Sequence, residues 1–436
     1  MQSGLNDFDE WVEKSKTTAL IFIRRDTIIY EKYFNGFSKK SYFHSQSMAK
    51  SFISFLIGAA IDDSLIKNVN DPMTKYIPEL AVRDSRFKKV TIKNLLEMRS
   101  GLKYNTDFFP QTHIQLPWND EVVGYYHDNV RKLLLEDVQI GSEAGKHFKY
   151  CNYNTSYLGL IIERVTGKTV SEYLEKKLWS KIMEYDALFS IDSKETGFEY
   201  MPSRLIARAI DFARFGRLYL HLGNWNGKQI ISKKWIQSST HEDKSIPRNY
   251  YPAWLGNGCN RTYYSYQWWG HTNCDSTYQY FANGNLGQVI YVIPFEDIII
   301  VHCGNSNELF SAYDLWHITD CIKYYDFHRS IIKLGVTDAI YEYYKKKKHT
   351  PDYRPFNQKF LMDKGYAYLN AEEIDDAKKI FRLNVVTHPD AWNVYNNMAE
   401  AYSKNGDIDS AILFYKKSLK LKPRNNWARE KLKMLK

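Results

Sequence analysis

Nearly every position between Ser47 and Ile61 is apolar, and the polar exceptions Ser47, Lys50, Ser51 and Ser54 fall at i, i+3, i+4 and i+7. That spacing predicts a buried helix carrying one narrow polar stripe. Elsewhere short apolar blocks alternate with turn residues. Residues 18–23 and 27–31 read as a hairpin turning at Arg24-Arg25-Asp26, and residues 288–293 and 297–302 as a second, turning at Pro294-Phe295-Glu296. Residues 156–165, 170–179 and 205–221 carry helical periodicity. Strands at both ends with helices between them predict an α+β domain, over residues 1–330, whose ends share one antiparallel sheet flanked by helices.

Past residue 358 the pattern repeats. Leu361, Gly365, Tyr368, Ala377, Phe381 and Pro389 recur 34 residues later as Tyr395, Ala399, Tyr402, Ala411, Tyr415 and Pro423. This period, with small and aromatic residues at these offsets, is the signature of tetratricopeptide repeats, in which small residues let paired helices approach and aromatics fill the groove between neighbours. Residues 358–436 are thus expected to form an all-α domain of two repeats, closed by a capping helix over residues 426–436. The lysine run 345–348 and the prolines Pro351 and Pro355 predict a basic linker over residues 331–357.

Charge sharpens this division. The net charge is +10, with 21 Lys and Arg against 13 Asp and Glu from residue 331 onward and 39 against 37 before it. A basic C-terminal part without a recognition motif reads as a solvated helix face and linker, not as a nucleic-acid surface. The longest apolar stretch, residues 53–61 interrupted by one serine, is too short to span a bilayer, and the first residues lack the basic and apolar regions of a signal peptide. The chain as written is expected to be soluble, either cytoplasmic or exported with a leader absent from it. The five cysteines, Cys151, Cys259, Cys274, Cys303 and Cys321, form no regular framework. Cys259, His271 and Cys274 lack a fourth ligand at a recognisable spacing, so no metal and no cofactor is expected.

The polar stripe carries the chemistry. A lysine in so apolar a helix is desolvated, which lowers its pKa, and a neutral lysine one turn from a serine can accept that serine's proton. Ser47 is the candidate nucleophile and Lys50 its base. The pattern S-x-x-K also occurs at Ser64, Ser85, Ser100 and Ser330, but only Ser47 opens a long apolar helix. Tyr150, just before the helical stretch at 156–165, is a candidate proton shuttle: a phenol facing a buried ammonium is expected to have a lowered pKa. The aromatic run 250–254 and 263–269 fits either an acyl-binding cleft or packing on the sheet.

Ser47-x-x-Lys50 opening its helix, the block Val90-Thr91-Ile92-Lys93-Asn94-Leu95-Leu96-Glu97-Met98-Arg99-Ser100-Gly101-Leu102, and Tyr150-Cys151-Asn152 followed by Leu158-Gly159-Leu160 together resemble the serine β-lactamase and penicillin-binding-protein superfamily. Residues 211–218, Tyr266-Gln267-Trp268-Trp269 and residues 287–294 are similar to its class C β-lactamase-like esterases and 6-aminohexanoate-dimer hydrolases. The likeness covers about residues 17 to 305. It departs at the third motif, where Ala282-Asn283-Gly284 replaces Lys-Thr-Gly or His-Thr-Gly; Gly270-His271-Thr272 lies too early. The resemblance implies a β-lactamase-like fold and an oxyanion held between the amides of Ser47 and Asn285, with Gly284 and Asn152 beside the substrate. The function expected is cleavage of a small amide or ester through an acyl-enzyme on Ser47, with the repeats available to a protein partner. The alternatives are a β-lactam or D-amino-acid peptide substrate, and a silent scaffold serving the repeats.

Overall fold

The computed structural model describes residues 9, 12–106, 119–252, 261–272, 277–306, 327, 330, 331, 333–345, 347, 348, 356 and 358–435. Two compact units divide it, Met1–Ser311 and Ala312–Lys436.

In the first unit seven strands form one antiparallel sheet: β1 (Thr17–Arg24), β2 (Thr27–Tyr33), β3 (Arg261–Ser265), β4 (Trp268–Thr272), β5 (Tyr278–Gly284), β6 (Gln288–Ile293) and β7 (Ile298–Gly304), in the order β2-β1-β7-β6-β5-β4-β3. The expected joining of the two ends is therefore direct: Leu20 stands opposite His302 and Ile21 opposite Val301. The β1–β2 turn places Arg25 and Asp26 both at positive φ, matching the tight twist of a two-residue hairpin. Every residue of β6 and β7 is buried, so their near-continuous apolar sequences reflect cover on both faces.

The helices pack against this sheet. The segment from Ser47 becomes a short 3-10 turn, Gln46–Met48, followed by α1 (Ala49–Asp62). Phe52 of α1 stacks on Phe215 with ring centroids 3.8 Å apart, and burying such a ring contributes about 1.5–3 kcal/mol. Helix α2 is Asp120–Tyr126, α3 is Asn152–Thr166 and α4 is Ala209–Leu220. Gly216 lets α4 lie close on the sheet, because a Cβ there would meet Ile299 and Ile290 methyls at 2.9 and 3.0 Å. The helix expected over residues 205–221 is two elements. Leu205–Ala207 is a strand of a three-stranded sheet with Phe43–His44 and Leu188–Phe189, and the helix starts only after Arg208, in extended backbone, ends that strand. The turn 175–179 continues the helix of residues 170–174 with wider, π-type winding.

The second unit contains α5 (Gln358–Asn370), α6 (Ile374–Thr387), α7 (Trp392–Lys404), α8 (Ile408–Leu421) and α9 (Asn426–Met434). The second pair starts 34 residues after the first at both helices, as the repeat predicts. Phe381 occupies the space a side chain at Gly365 would need, 2.2 Å from its Cβ position, and Ala399 and Ala411 are fully buried at the corresponding level of the second pair. The expected linker over 331–357 differs from its sequence reading. Residues 333–345 are helical, and Ile331, Val336, Ala339, Tyr343 and Phe356 are buried with Leu361, Ile380 and Leu383. Val336, Ala339 and Tyr343 recur at helical spacing, so burial of one face gives the segment a structural place in the unit. Lys346 and residues 349–355 lie outside the described residues. Among the described residues no helix is long and apolar enough to cross a membrane.

Candidate active site

Ser47 stands at the head of α1 on a tight turn: Gln46 before it has φ +47°, and Ser45 is fastened by its amide to the Leu205 carbonyl. One turn on, Lys50 is only 1% exposed. Its Nζ lies 3.0 Å from Ser47 Oγ and 2.9 Å from the Pro202 carbonyl oxygen, and 4.9 Å from the centroid of the Tyr150 ring. Burial lowers the Lys50 pKa to about 7, and the charge of Glu121 opposes that fall. The amine is therefore poised to change protonation state near neutral pH while touching the serine hydroxyl. Ser51, the next polar residue of the stripe, instead donates to the Gln267 carbonyl, so the stripe divides between chemistry and anchoring.

Tyr150 is held by rings. It stacks on Trp269, centroids 5.9 Å apart, and meets Tyr264 edge-on at 6.0 Å. Its pKa is raised, not lowered as expected from sequence: desolvation outweighs the pull of the Ser47 hydroxyl, and Lys50 faces the ring and not the oxygen. A phenol so placed is a proton donor at neutral pH.

The aromatic hairpin divides between Tyr150 and the core. Tyr264 and Trp269, opposite each other across β3 and β4, face Tyr150, while Trp268 packs on Tyr219 and Phe215 in the core. Trp254, Cys259 and Cys274 lie outside the described residues. His271 sits on β4 opposite Gln279, apart from the strand end beside Ser47, and no group of three or more metal-ligating side chains occurs among the described residues.

Gly284 ends β5 against the nucleophile turn. A Cβ there would come within 2.6 Å of Ser45 O and 2.9 Å of Ser47 N, so only glycine permits this approach. Asn285, exposed, follows in the turn Asn285–Gly287, whose Gly287 is buried. Asn152, at the first position of α3, is buried, and its Oδ1 has no hydrogen-bond partner among the described residues. Such an acceptor is free for a substrate donor. The structure thus brings Ser47, Lys50, Tyr150 and Gly284 together, with Asn285 next in the chain.

Three groups escaped the sequence reading. Pro202 supplies a carbonyl whose position no local pattern reveals. Glu121, near the start of α2, sends its charge onto both Lys50 and Tyr150, yet in sequence it is an ordinary acidic residue at a helix N-terminus. Gln267 accepts from Thr155 of α3 and donates to the Leu95 and Leu96 carbonyls, tying the helices around the site. Its place in Tyr266-Gln267-Trp268-Trp269 was the only signal.

Residues 8–319 match the Beta-lactamase family, and residues 392–425 match the tetratricopeptide repeat. The chain belongs to the beta-lactamase family. Within it, this chain is 30% identical over 245 residues to the 6-aminohexanoate-dimer hydrolase of Paenarthrobacter ureafaciens, a match that covers 55% of this chain and 60% of that protein. The chain thus spans under two thirds of that relative. Among solved structures it resembles "Putative 6-aminohexanoate-dimer hydrolase from Bacillus anthracis", with 26% identity, a TM-score of 0.60, and coverage of 71% of this chain and 80% of that one. The octameric penicillin-binding protein homologue from Pyrococcus abyssi, at 18% identity and a TM-score of 0.54 over 70% of this chain and 74% of that one, shares the fold.

Proposed function

We propose that this beta-lactamase family member is a serine hydrolase that cleaves a small linear amide or ester through an acyl-enzyme on Ser47. The observation that carries the reading is the buried Lys50, with a pKa of about 7, 3.0 Å from Ser47 Oγ. A silent scaffold gains nothing from burying a cation. Neutral Lys50 takes the hydroxyl proton as Ser47 Oγ attacks the carbonyl carbon. The oxyanion forms between the amides of Ser47 and Asn285. As the tetrahedral intermediate collapses, Tyr150 gives its proton to the leaving nitrogen or oxygen. Water then attacks the ester of Ser47 and gives one proton to the Tyr150 phenolate, and the Lys50 ammonium, 3.0 Å from Ser47 Oγ, returns the serine's proton.

A linear amide is favoured by the relative named for 6-aminohexanoate dimer and by the third motif, which offers no cation for a β-lactam carboxylate. The helical C-terminal unit is read as a docking surface for a protein partner. Labelling with a fluorophosphonate probe tests the chemistry: wild type is expected to label and hydrolyse p-nitrophenyl butyrate, and Ser47→Ala to do neither while remaining folded, since Ala suits a helix start. Substantial turnover by purified Ser47→Ala would refute the reading.

A further inference from the structure

We propose that His302, in the middle of the sheet and away from the reacting groups, is a positioning residue that holds the turn Asn285–Gly287 so that the Asn285 amide faces the Ser47 amide. This rests on the acyl-enzyme reading above.

Strand β7 runs Ile298-Ile299-Ile300-Val301 before it reaches His302, and the imidazole there is 1% exposed. An aliphatic side chain would fill the site without desolvating two nitrogens, so the ring's hydrogen bonds are what distinguish it. They run from one end of the molecule's sheet to the turn. Nε2 lies 2.9 Å from the Thr17 hydroxyl of β1, and Thr17 lies 2.8 Å from the Ser15 hydroxyl, whose one proton is shared between Thr17 and the Val12 carbonyl. Nδ1 bonds the Gly287 carbonyl. Burial keeps the ring neutral, with a pKa lowered to about 4, so Nδ1 carries the proton and donates to Gly287 while Nε2 accepts from Thr17.

The turn needs such support. Leu286 is a non-glycine residue at φ +62°, a left-handed conformation that a side chain disfavours. Gly287 follows at φ +80°. Gln288 braces the same turn from its other end, its Nε2 donating to the Leu286 carbonyl at 3.2 Å and the Gly304 carbonyl at 2.6 Å. Space for the imidazole is kept by two glycines: a Cβ on Gly287 or Gly304 would meet His302 Cε1 at 3.1 or 2.9 Å. With the Leu286 and Gly287 carbonyls both bonded from behind, the turn cannot roll. The amide at its start is then fixed relative to Gly284, which lies against Ser47 N. An oxyanion donor must be in place before charge develops, and a shift of an ångström forfeits much of its effect.

The test measures p-nitrophenyl butyrate hydrolysis and thermal unfolding on the full chain as wild type, Ser47→Ala, His302→Leu, His302→Asn and Gln288→Met. His302→Leu is expected to lower kcat about 10- to 100-fold with KM unchanged. His302→Asn, whose Nδ2 falls near the position of imidazole Nδ1, should restore most of that loss. Gln288→Met should lower kcat by a smaller factor at unchanged KM. The proposal is overturned if folded His302→Leu keeps wild-type kcat, if its loss lies in KM, or if His302→Asn is as slow as His302→Leu. Should His302→Leu not fold, Gln288→Met decides: a reduced kcat at constant KM supports the proposal and a wild-type kcat overturns it. Turnover by Ser47→Ala would overturn the acyl-enzyme reading, and the positioning role with it. An inactive Ser47→Ala beside an undiminished His302→Leu overturns the positioning role alone.

Discussion

Lys50 meets Tyr150 through the ring and not through the phenol: Nζ lies 4.9 Å from the ring centroid, while its hydrogen bonds go to Ser47 Oγ and the Pro202 carbonyl. The ring face attracts the ammonium without offering it an acceptor. One group is thereby left able to lose a proton near neutrality and its neighbour able to keep one. Groups whose environments part their proton affinities in this way divide the roles of base and acid.

Lys50→Met is expected to lower kcat/KM by about 10²-fold or more, as loss of a general base does, and wild-type kcat/KM should rise through an apparent pKa near 7. The stability of Lys50→Met should move the other way from its rate. Between about 7 and the ordinary value of 10.5 the folded protein holds fewer protons than the unfolded chain, so wild-type stability rises with pH across that window. Below it both states are protonated and the folded state bears the full cost of the buried charge. Lys50→Met removes that cost, so its gain in Tm over wild type should be larger near pH 6 than near pH 10. A near wild-type rate in Lys50→Met would place the base elsewhere.

Glu121→Gln tests the field at the site. The carboxylate raises the Lys50 pKa against the effect of burial. Its removal should therefore shift the acid limb of the kcat/KM profile to lower pH, because the neutral amine becomes available sooner. Full rate–pH profiles of the two proteins on one ester decide it: an acid limb that stays put or moves to higher pH contradicts the assignment.

The fold and the Ser47–Lys50 part of the candidate site were legible for physical reasons. Ser47 and Lys50 stand out because helical periodicity makes a buried cation visible in one dimension. The two hairpins were legible because the period-2 pattern and the turn residues agree. Leu205–Ala207 was misread because three apolar residues leading into an amphipathic helix look like its first turn; the partner strand at Phe43–His44 lies far away in sequence. In the segment after Ile331, the apolar spacing of Val336, Ala339 and Tyr343 is short and drew less notice than the lysine run 345–348 that follows it. The direction of the Tyr150 pKa follows from how deeply the phenol is buried, a matter of three-dimensional placement that no spacing contains.

Gly284→Ala should damage catalysis more than stability. The added methyl would meet backbone atoms, Ser45 O and Ser47 N, which cannot swing away as a side chain can. The end of β5 must retreat, taking the Asn285 amide with it, and a displacement of this kind costs on the order of 10²-fold in rate. Steady-state kinetics beside a thermal melt would check this, and wild-type kcat in a folded Gly284→Ala protein would show that the strand end has no part in the reaction.

Nitrocefin and penicillin should be poor substrates relative to a simple ester. At the strand end Ala282 is buried, Asn283 is exposed and Gly284 lies on the nucleophile turn, so the third motif presents no positive charge for a β-lactam carboxylate. Losing one charge-assisted hydrogen bond costs about 1.5 to 3 kcal/mol, or roughly 10- to 150-fold in affinity. An ester without that carboxylate loses nothing, and its carbonyl still reaches Ser47 and the two amides. Both substrates measured on one preparation separate the cases: kcat/KM for nitrocefin well below that for p-nitrophenyl butyrate is the expected result. Comparable values would mean that another cation takes the place of the missing one.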